Sequence, residues 1–217
     1  MSQNMPLIIT ISRQLGCGGA YIGEALANHF GISYADRDII SQTAQKLSLH
    51  ERDIAHRDEK IITAWQTFLQ SITRTPDRIE HQPLPPTDKE LFLAEKEVIE
   101  RLATERSAVI MGRCGSFILR NHPNHISLFL HACTPFRIQR LCEDCSVSET
   151  RAQKMIQESD KKRSEYVHQF TGQLWMDATK YDLSVRTDIL GVEECTEGII
   201  RVVEKIIARK TCEVCEE

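Results

Sequence analysis

Short apolar runs alternate with helical patterns along the chain. Residues 7–11 are β-branched and apolar, and residues 108–112 and 126–130 form two similar runs. Such runs are typical of strands buried in a parallel sheet. Shorter runs at residues 32–34 and 183–186 predict two further strands. The pattern therefore predicts about five strands.

Helical spacing follows most of these strands. Ile22, Leu26 and Phe30 recur at helical intervals, and Gly31 is placed to end that helix. Further helices are predicted over residues 38–47, from Ser48, over residues 88–106, from Thr134, from Ser146 through residues 161–163, and over residues 195–209. This alternation of strands and helices predicts an α/β fold whose parallel sheet is covered on both faces.

Composition and charge narrow the class of protein. The 217 residues are 41% hydrophobic, which suits one domain with a single core. The net charge of −4 argues against a nucleic-acid partner. The first residues lack the features of a signal peptide, and no apolar run approaches the length of a membrane span. We therefore expect a cytoplasmic protein with no membrane or nucleic-acid partner.

A glycine-rich turn joins the first predicted strand to the first predicted helix. Gly16, Gly18 and Gly19 lie in this turn. In a parallel sheet, ligands bind at the carboxyl ends of the strands, where amide groups and a helix N-terminus attract phosphate. The turn is therefore a candidate phosphate site, and the alternative is a tight turn whose glycines permit close packing.

The turn departs from the P-loop pattern G-x-x-x-x-G-K-[ST]. Arg13 occupies the position of the first glycine of that pattern, Gly19 the position of its lysine, and Ala20 the position of its serine or threonine. A catalyst built on this turn needs another cation. Arg13 is the candidate, with an ordinary surface ion pair as the alternative.

Several segments share the order and spacing of motifs in one family. They are residues 11–13, 16–19, 31–37, 109–113, 160–163 with Tyr166, 170–172 and 181–183. Together they resemble the cytidylate kinase-like family, a divergent nucleoside monophosphate kinase branch of the P-loop NTPases. The resemblance implies a three-layer αβα fold of P-loop NTPase type, with about five parallel strands, a helical acceptor-binding insertion and a lid.

The resemblance also implies one domain over residues 1–217. Its core comprises residues 6–47 and 107–210, its insertion about residues 48–106, and its lid about residues 147–172. The implied activity is phosphoryl transfer from ATP, with Mg²⁺, to a nucleoside monophosphate resembling CMP or dCMP. Small nucleotides are thus the implied partners.

The resemblance assigns roles to residues in three groups, and none is a direct metal ligand. The implied catalytic cations are Arg13, Lys162 and Arg163. The implied nucleotide-binding residues are Ser12, Gly16, Cys17, Gly18, Gly19 and Ala20. The implied acceptor-binding residues are Asp36, Arg37, Asp38, Arg113 and Asp160. Cys114 stands where the classical cytidylate kinases have an aspartate that helps to read the base.

Several alternatives remain open at this point. The missing lysine and hydroxyl favour a nucleotide-binding module without catalysis. Residues 161–163 are also compatible with a solvated helix face, and Asp38 with a helix cap. The pairs Cys142/Cys145 and Cys212/Cys215 have the spacing of zinc or redox motifs. Cys17, at a helix N-terminus, is expected to have a lowered thiol pKa and easier oxidation, with a small packing residue as the alternative.

Overall fold

The structure, a computed structural model, describes residues 5–36 and 88–213, with side chains up to residue 210. The chain divides into two units, Met1–Asp36 with Ile99–Glu217, and Arg37–Val98. The described residues of the second unit are 88–98, the first part of a helix. Arg37, Asp38 and the helices predicted over residues 38–47 and from Ser48 lie outside the described residues.

Five parallel strands form one sheet in the first unit. They are β1 (Ile8–Arg13), β2 (Ser33–Ala35), β3 (Ala108–Met111), β4 (His125–His131) and β5 (Leu183–Arg186). The strand order is β2-β3-β1-β4-β5, and β1 is central because Ile9 pairs with Val109 on one side and with Ile126 on the other. This confirms the predicted α/β fold of P-loop NTPase type with five parallel strands.

Helices follow the strands as the alternation predicts. They are α1 (Gly19–Phe30), α2 (Asp88–Glu105), α3 (Gly115–Ile118), α4 (Thr134–Cys145), α5 (Glu149–Thr171) and α6 (Val192–Glu213), with a 3-10 turn at Ala178–Lys180. Gly31 ends α1 in the left-handed region, at φ 63°, as predicted. No helix among the described residues is both long and apolar enough to cross a membrane.

The start of α5 corrects one prediction. The cap is Ser148, whose hydroxyl accepts a hydrogen bond from the Arg151 amide at 3.3 Å, and not Ser146. Ser146 instead ends α4 in the left-handed region, at φ 52°. Because α4 runs on to Cys145, the residue after it must reverse the chain, which leaves the next serine extended and able to cap α5.

A large apolar cluster lies on one face of the sheet. Helices α1 and α6 cover it with Ile22, Leu26 and Val203, which are fully buried against Ile9 and Leu128 of the strands. Burial of such side chains is the dominant favourable contribution to folding, at about 1.5–3 kcal/mol each. The core therefore fixes the first strand and the first helix, and with them the turn between the two.

The opposite face carries aromatic and polar side chains together with the buried side chains of Ile8 and Ile110. Phe129 of β4 stacks on Tyr181 at 5.1 Å between ring centroids and meets Trp175 edge-on at 5.8 Å. The Tyr181 hydroxyl donates to the Trp175 carbonyl oxygen at 2.8 Å. These contacts hold the segment after α5 against the sheet.

His125 makes the stability of this face depend on pH. Its Nε2 lies 2.7 Å from the Thr10 hydroxyl, and burial lowers its pKa from 6.5 to about 4. Between these values the unfolded chain binds more protons than the folded chain, so stability falls as pH falls from 6.5 to 4. We expect the titration of His125 to lower the free energy of unfolding by up to about 3 kcal/mol between pH 6.5 and pH 4.

Urea unfolding at pH 7, 6, 5 and 4 measures this effect. The difference in unfolding free energy between wild type and His125→Gln isolates the histidine from the carboxylates that also titrate. A difference that stays constant between pH 6.5 and 4 would show that His125 does not titrate as the burial requires.

Candidate active site

The turn after β1 has the backbone conformation and the uncapped helix start that a phosphate site needs. Gly16 and Gly18 both have φ 82°, in the left-handed region that glycine tolerates best. Gly18 precedes α1, where no side chain caps the free amides and no acidic residue lies in the first turn. A helix N-terminus without its own cap is suited to an anion such as phosphate.

The same glycines also permit close packing. A Cβ on Gly16 would lie 2.8 Å from the carbonyl oxygen of Arg137, and one on Gly18 would lie 2.5 Å from Cγ2 of Val192. The glycines therefore meet the packing alternative, since Gly16 contacts α4 and Gly18 contacts α6, and the phosphate site stays a prediction.

The side chain of Arg13 runs across the turn. A Cβ on Gly19 would lie 2.8 Å from Cγ of Arg13, and one on Gly112 would lie 2.7 Å from its Nη1. Nη2 of Arg13 lies 3.7 Å from Oδ2 of Asp36, with 21% of the arginine side chain exposed. The aliphatic stem of Arg13 thus lies against Gly19, which holds the position of lysine in the P-loop pattern, and the guanidinium lies farther on, beside Gly112 and Asp36.

Helices α4 and α5 contact the start of the turn through three charged residues. Asp160 accepts a hydrogen bond from the Leu15 amide at 3.2 Å and pairs with Nη2 of Arg137 at 2.5 Å. Nε of Arg137 donates to the Leu15 carbonyl oxygen at 2.6 Å. Arg163 donates from Nη1 to the Arg13 carbonyl oxygen at 2.6 Å. We call Arg137, Asp160 and Arg163 the charged clamp.

The charged clamp places positive charge beside the turn. Burial, and then the neighbouring Arg13, lower the pKa of Arg163 to about 10, so it stays protonated at neutral pH. The Arg137 side chain is 4% exposed. A buried arginine needs a carboxylate nearby, and Asp160 is that carboxylate for Arg137.

The thiol of Cys17 corrects another prediction. Burial raises its pKa, and the Gly19 amide and nearby arginines offset only part of that rise. Cys17 is fully buried, and its Sγ lies 3.5 Å from the carbonyl oxygen of Leu130. The helix N-terminus was expected to lower the pKa, but removal from water outweighs it.

We expect this burial to protect Cys17 from thiol reagents. Cys145 is exposed, so a reagent in water should label it first. Cys17 should react at least about a hundredfold more slowly, because labelling requires local opening. Mass spectrometry of peptides from protein labelled for increasing times measures both rates, and equal rates would contradict the buried position.

Comparison with known proteins gives the family of this chain. The sequence model of the cytidylate kinase-like family matches residues 8–189, which is most of the chain. The chain belongs to the cytidylate kinase-like family. No curated protein matches the sequence.

Two solved structures show what this family member resembles in fold. An uncharacterized protein from Eubacterium ventriosum ATCC 27560 is 24% identical with a TM-score of 0.64, and the match covers 91% of this chain and 98% of that chain. A shikimate kinase from Bacteroides thetaiotaomicron is 12% identical with a TM-score of 0.51, over 93% of this chain and 98% of that chain. Family and fold together support kinase-type phosphoryl transfer.

The remaining predicted site residues of this kinase-like chain lie in different surroundings. Ala20 and Lys162 are exposed. Ser12 is buried, and its hydroxyl interacts with Tyr181. Arg113 is half-buried after β3, in the left-handed region at φ 52°. The structure therefore brings together Arg13, Asp36, Asp160 and Arg163 around the glycines, while Lys162 points to solvent.

Sequence reasoning missed two features of the site. Arg137 lies in the first turn of α4, just after the carboxyl end of β4. Thr187 follows β5, is fully buried and donates to the Cys17 carbonyl oxygen at 2.8 Å. Both residues follow the carboxyl ends of strands that were predicted, so a search of every strand end would have found them.

The cysteine pairs have limited support as a metal site. Cys142 is half-buried and Cys145 is exposed, while the side chains of Cys212 and Cys215 lie outside the described ones. Among the described residues, no three His, Cys, Asp or Glu side chains are grouped to hold a metal ion.

Proposed function

We propose that the protein transfers the γ-phosphoryl group of ATP to a nucleoside monophosphate, with CMP or dCMP as acceptor. The observation that carries the proposal is the path of Arg13, whose stem lies against Gly19 and whose guanidinium lies beside Gly112, because it offers a cation close to the turn that lacks its lysine. Phosphoryl transfer depends on positioning and on neutralising charge, so a cation beside the phosphates is its main requirement.

The glycine turn supplies the cradle for the nucleotide phosphates. Gly16 and Gly18 orient the amides, and the uncapped start of α1 adds its partial positive charge. These features fit a phosphate chain. In the proposed reaction, the amides hold the β-phosphate while the guanidinium of Arg13 faces the group that moves.

The charged clamp acts on the turn and on the reacting phosphates. Arg163 and Asp160 hold the main chain of Arg13 and Leu15, so they position the turn. The charge of Arg163 also lies close to the turn, as its influence on Cys17 indicates. Lys162, on the exposed side of α5, is proposed to reach the phosphates only when nucleotide is bound.

The residues around the turn suit a magnesium ion that arrives with ATP. Ala20 replaces the usual hydroxyl ligand, and Asp36 is already paired with Arg13. Mg²⁺ in kinases keeps several waters and is bound largely by substrate phosphates. Such an ion would neutralise phosphate charge, and Asp36 is placed to hold one of its waters.

The acceptor is proposed to bind beside β3. Arg113 follows this strand and suits a bidentate contact with the acceptor phosphate. Arg37 and Asp38 complete the proposed acceptor set, whereas Asp160, predicted for the same role, instead pairs with Arg137 and accepts from the Leu15 amide. The overall reaction breaks the bond between the γ-phosphorus and its bridging oxygen and forms a bond from that phosphorus to an acceptor phosphate oxygen, giving ADP and a nucleoside diphosphate.

A panel of acceptors tests the substrate class. Purified protein with ATP and Mg²⁺ is assayed with CMP, dCMP, UMP, AMP and GMP by coupled detection of ADP. We expect the highest kcat/KM with CMP or dCMP. Turnover of a different monophosphate would reject the cytidine assignment, and failure with all of them would reject the nucleotide class.

A binding module without catalysis is the second candidate. Gly19 and Ala20 favour it, because they replace the two side chains that P-loop kinases use on phosphate and magnesium. Calorimetry with ATP distinguishes the two candidates. Binding without production of ADP in the presence of any acceptor would favour the module.

A further inference from the structure

A cavity lies at the end of the sheet opposite the glycine turn. It is formed where β4 and β5 begin, whereas the glycine turn follows the carboxyl end of the parallel strand β1. Its volume is about 380 Å³, which falls in the range of small-molecule sites. None of the residues assigned to phosphoryl transfer lines it.

Positive charge dominates the lining of this cavity. Arg120, Lys180 and Lys210 contribute three cations, and Asp182 contributes the one carboxylate of the lining. Among the described residues, no carboxylate lies within ion-pair distance of any of the three cations. The lining therefore carries an excess of positive charge that its own acid does not neutralise.

Two of the four charged side chains of this cavity, those of Asp182 and Lys210, are held in place by hydrogen bonds. Oδ2 of Asp182 accepts hydrogen bonds from the amide and the hydroxyl of Ser127, both at 2.7 Å. Nζ of Lys210 donates to the carbonyl oxygens of Pro123 at 3.2 Å and His125 at 2.7 Å. An ammonium has three donors, so one donor of Lys210 remains for a ligand.

Neutral polar groups complete the lining. Burial lowers the pKa of both His122 and His125, so these rings are uncharged at neutral pH. Asn121 adds an amide, and the second oxygen of Asp182 can accept a hydroxyl. An anion would satisfy the cations, and hydroxyl groups would satisfy the neutral groups and the carboxylate.

We propose that this cavity binds a small organic phosphate that carries hydroxyl groups, such as a sugar phosphate, at a site separate from the glycine turn. Arg120, Lys180 and Lys210 contact the phosphate, because a phosphate oxygen accepts strong charge-assisted hydrogen bonds from arginine and lysine. Asp182 and Asn121 contact the hydroxyl groups. The site is an additional binding site and does not depend on the proposed kinase activity.

Amide NMR of the ¹⁵N-labelled full chain tests this proposal with ribose 5-phosphate as the probe. We expect saturable shifts of the Ser127 and Asp182 amides, while the amides of residues 16–19 report binding at the glycine turn separately. In the double variant Arg120→Gln/Lys180→Gln, the dissociation constant should rise at least about tenfold. Lys205→Gln, an exposed lysine elsewhere on α6, is the matched control and should leave it unchanged.

Three results would overturn the proposal. The first is the absence of saturable shifts at Ser127 and Asp182. The second is an equal dissociation constant in the double variant and in Lys205→Gln. The third is equal affinity for sulfate and ribose 5-phosphate, since the site would then recognise an anion without its hydroxyl groups.

Discussion

Arg13→Ala should lower kcat for phosphoryl transfer by about a hundred- to a thousandfold, as removal of one group that stabilises transition-state charge does in other enzymes. The side chain lies over Gly19 and Gly112, beside the uncapped start of α1. With Gly19 in place of lysine, the turn itself has no cationic side chain inside its glycine segment. The KM for ATP should change less than kcat, because the amides that hold the phosphates remain.

Two further variants make this result specific. Arg13→Lys keeps a positive charge but loses the planar fork, so it should recover part of the lost rate. Arg201→Ala is the matched control, because Arg201 is an exposed arginine paired with Glu197 on α6. Steady-state rates with ATP and CMP measure all three, with circular dichroism to confirm folding. A folded Arg13→Ala protein with the rate of wild type would show that Arg13 is not the cation of the reaction.

Asp160→Ala should lower the free energy of unfolding by about 3–5 kcal/mol, which is typical when one partner of a buried ion pair is removed. The Arg137 side chain is 4% exposed and would keep its charge without a carboxylate. The Leu15 amide would lose its acceptor as well. Urea unfolding followed by circular dichroism measures the loss.

Matched variants separate the buried charge from the hydrogen bonds. Asp160→Asn keeps an acceptor and should cost less than Asp160→Ala. Asp144→Ala is the control, because Asp144 pairs with Arg140 at the surface of α4 and should cost no more than about 1 kcal/mol. Adding Arg137→Met to Asp160→Ala should restore part of the stability. Equal losses in Asp160→Ala and Asp144→Ala would show that the charged clamp does not stabilise the turn.

Much of the fold could be predicted because its signals are local. The β-branched run before the glycine turn predicts β1, and the spacing of Ile22, Leu26 and Phe30 predicts α1. Proline at the second position of α4 marks the start of that helix. Each of these signals depends only on residues that are close in the sequence, so it can be recognised without knowledge of the tertiary structure.

The site was harder to predict because its contacts are distant in sequence. Arg137 meets Leu15 across 122 positions, and that contact follows only once β4 is known to lie beside β1. The thiol of Cys17 was expected to be acidic from its place at a helix N-terminus, but its burial depends on β4 and on Thr187. Tertiary burial therefore reverses a local electrostatic argument.

The path of Arg13 also depends on tertiary structure. The sequence identifies Arg13 as a candidate cation. The direction of its side chain, however, depends on the space that the missing side chains of Gly19 and Gly112 leave. Gly112 follows β3, which lies next to β1 in the sheet. The roles of Arg37 and Asp38 remain predictions from the resemblance, since both lie outside the described residues.

Phosphoryl transfer at the glycine turn is tested most directly by ³¹P NMR of one reaction mixture. The mixture holds the purified full chain, ATP, Mg²⁺ and CMP. We predict that the signals of ADP and CDP rise together in equal amounts, and that Arg13→Ala slows both to the same extent. ADP and inorganic phosphate without CDP, or no change in ATP while the protein is folded, would contradict the account.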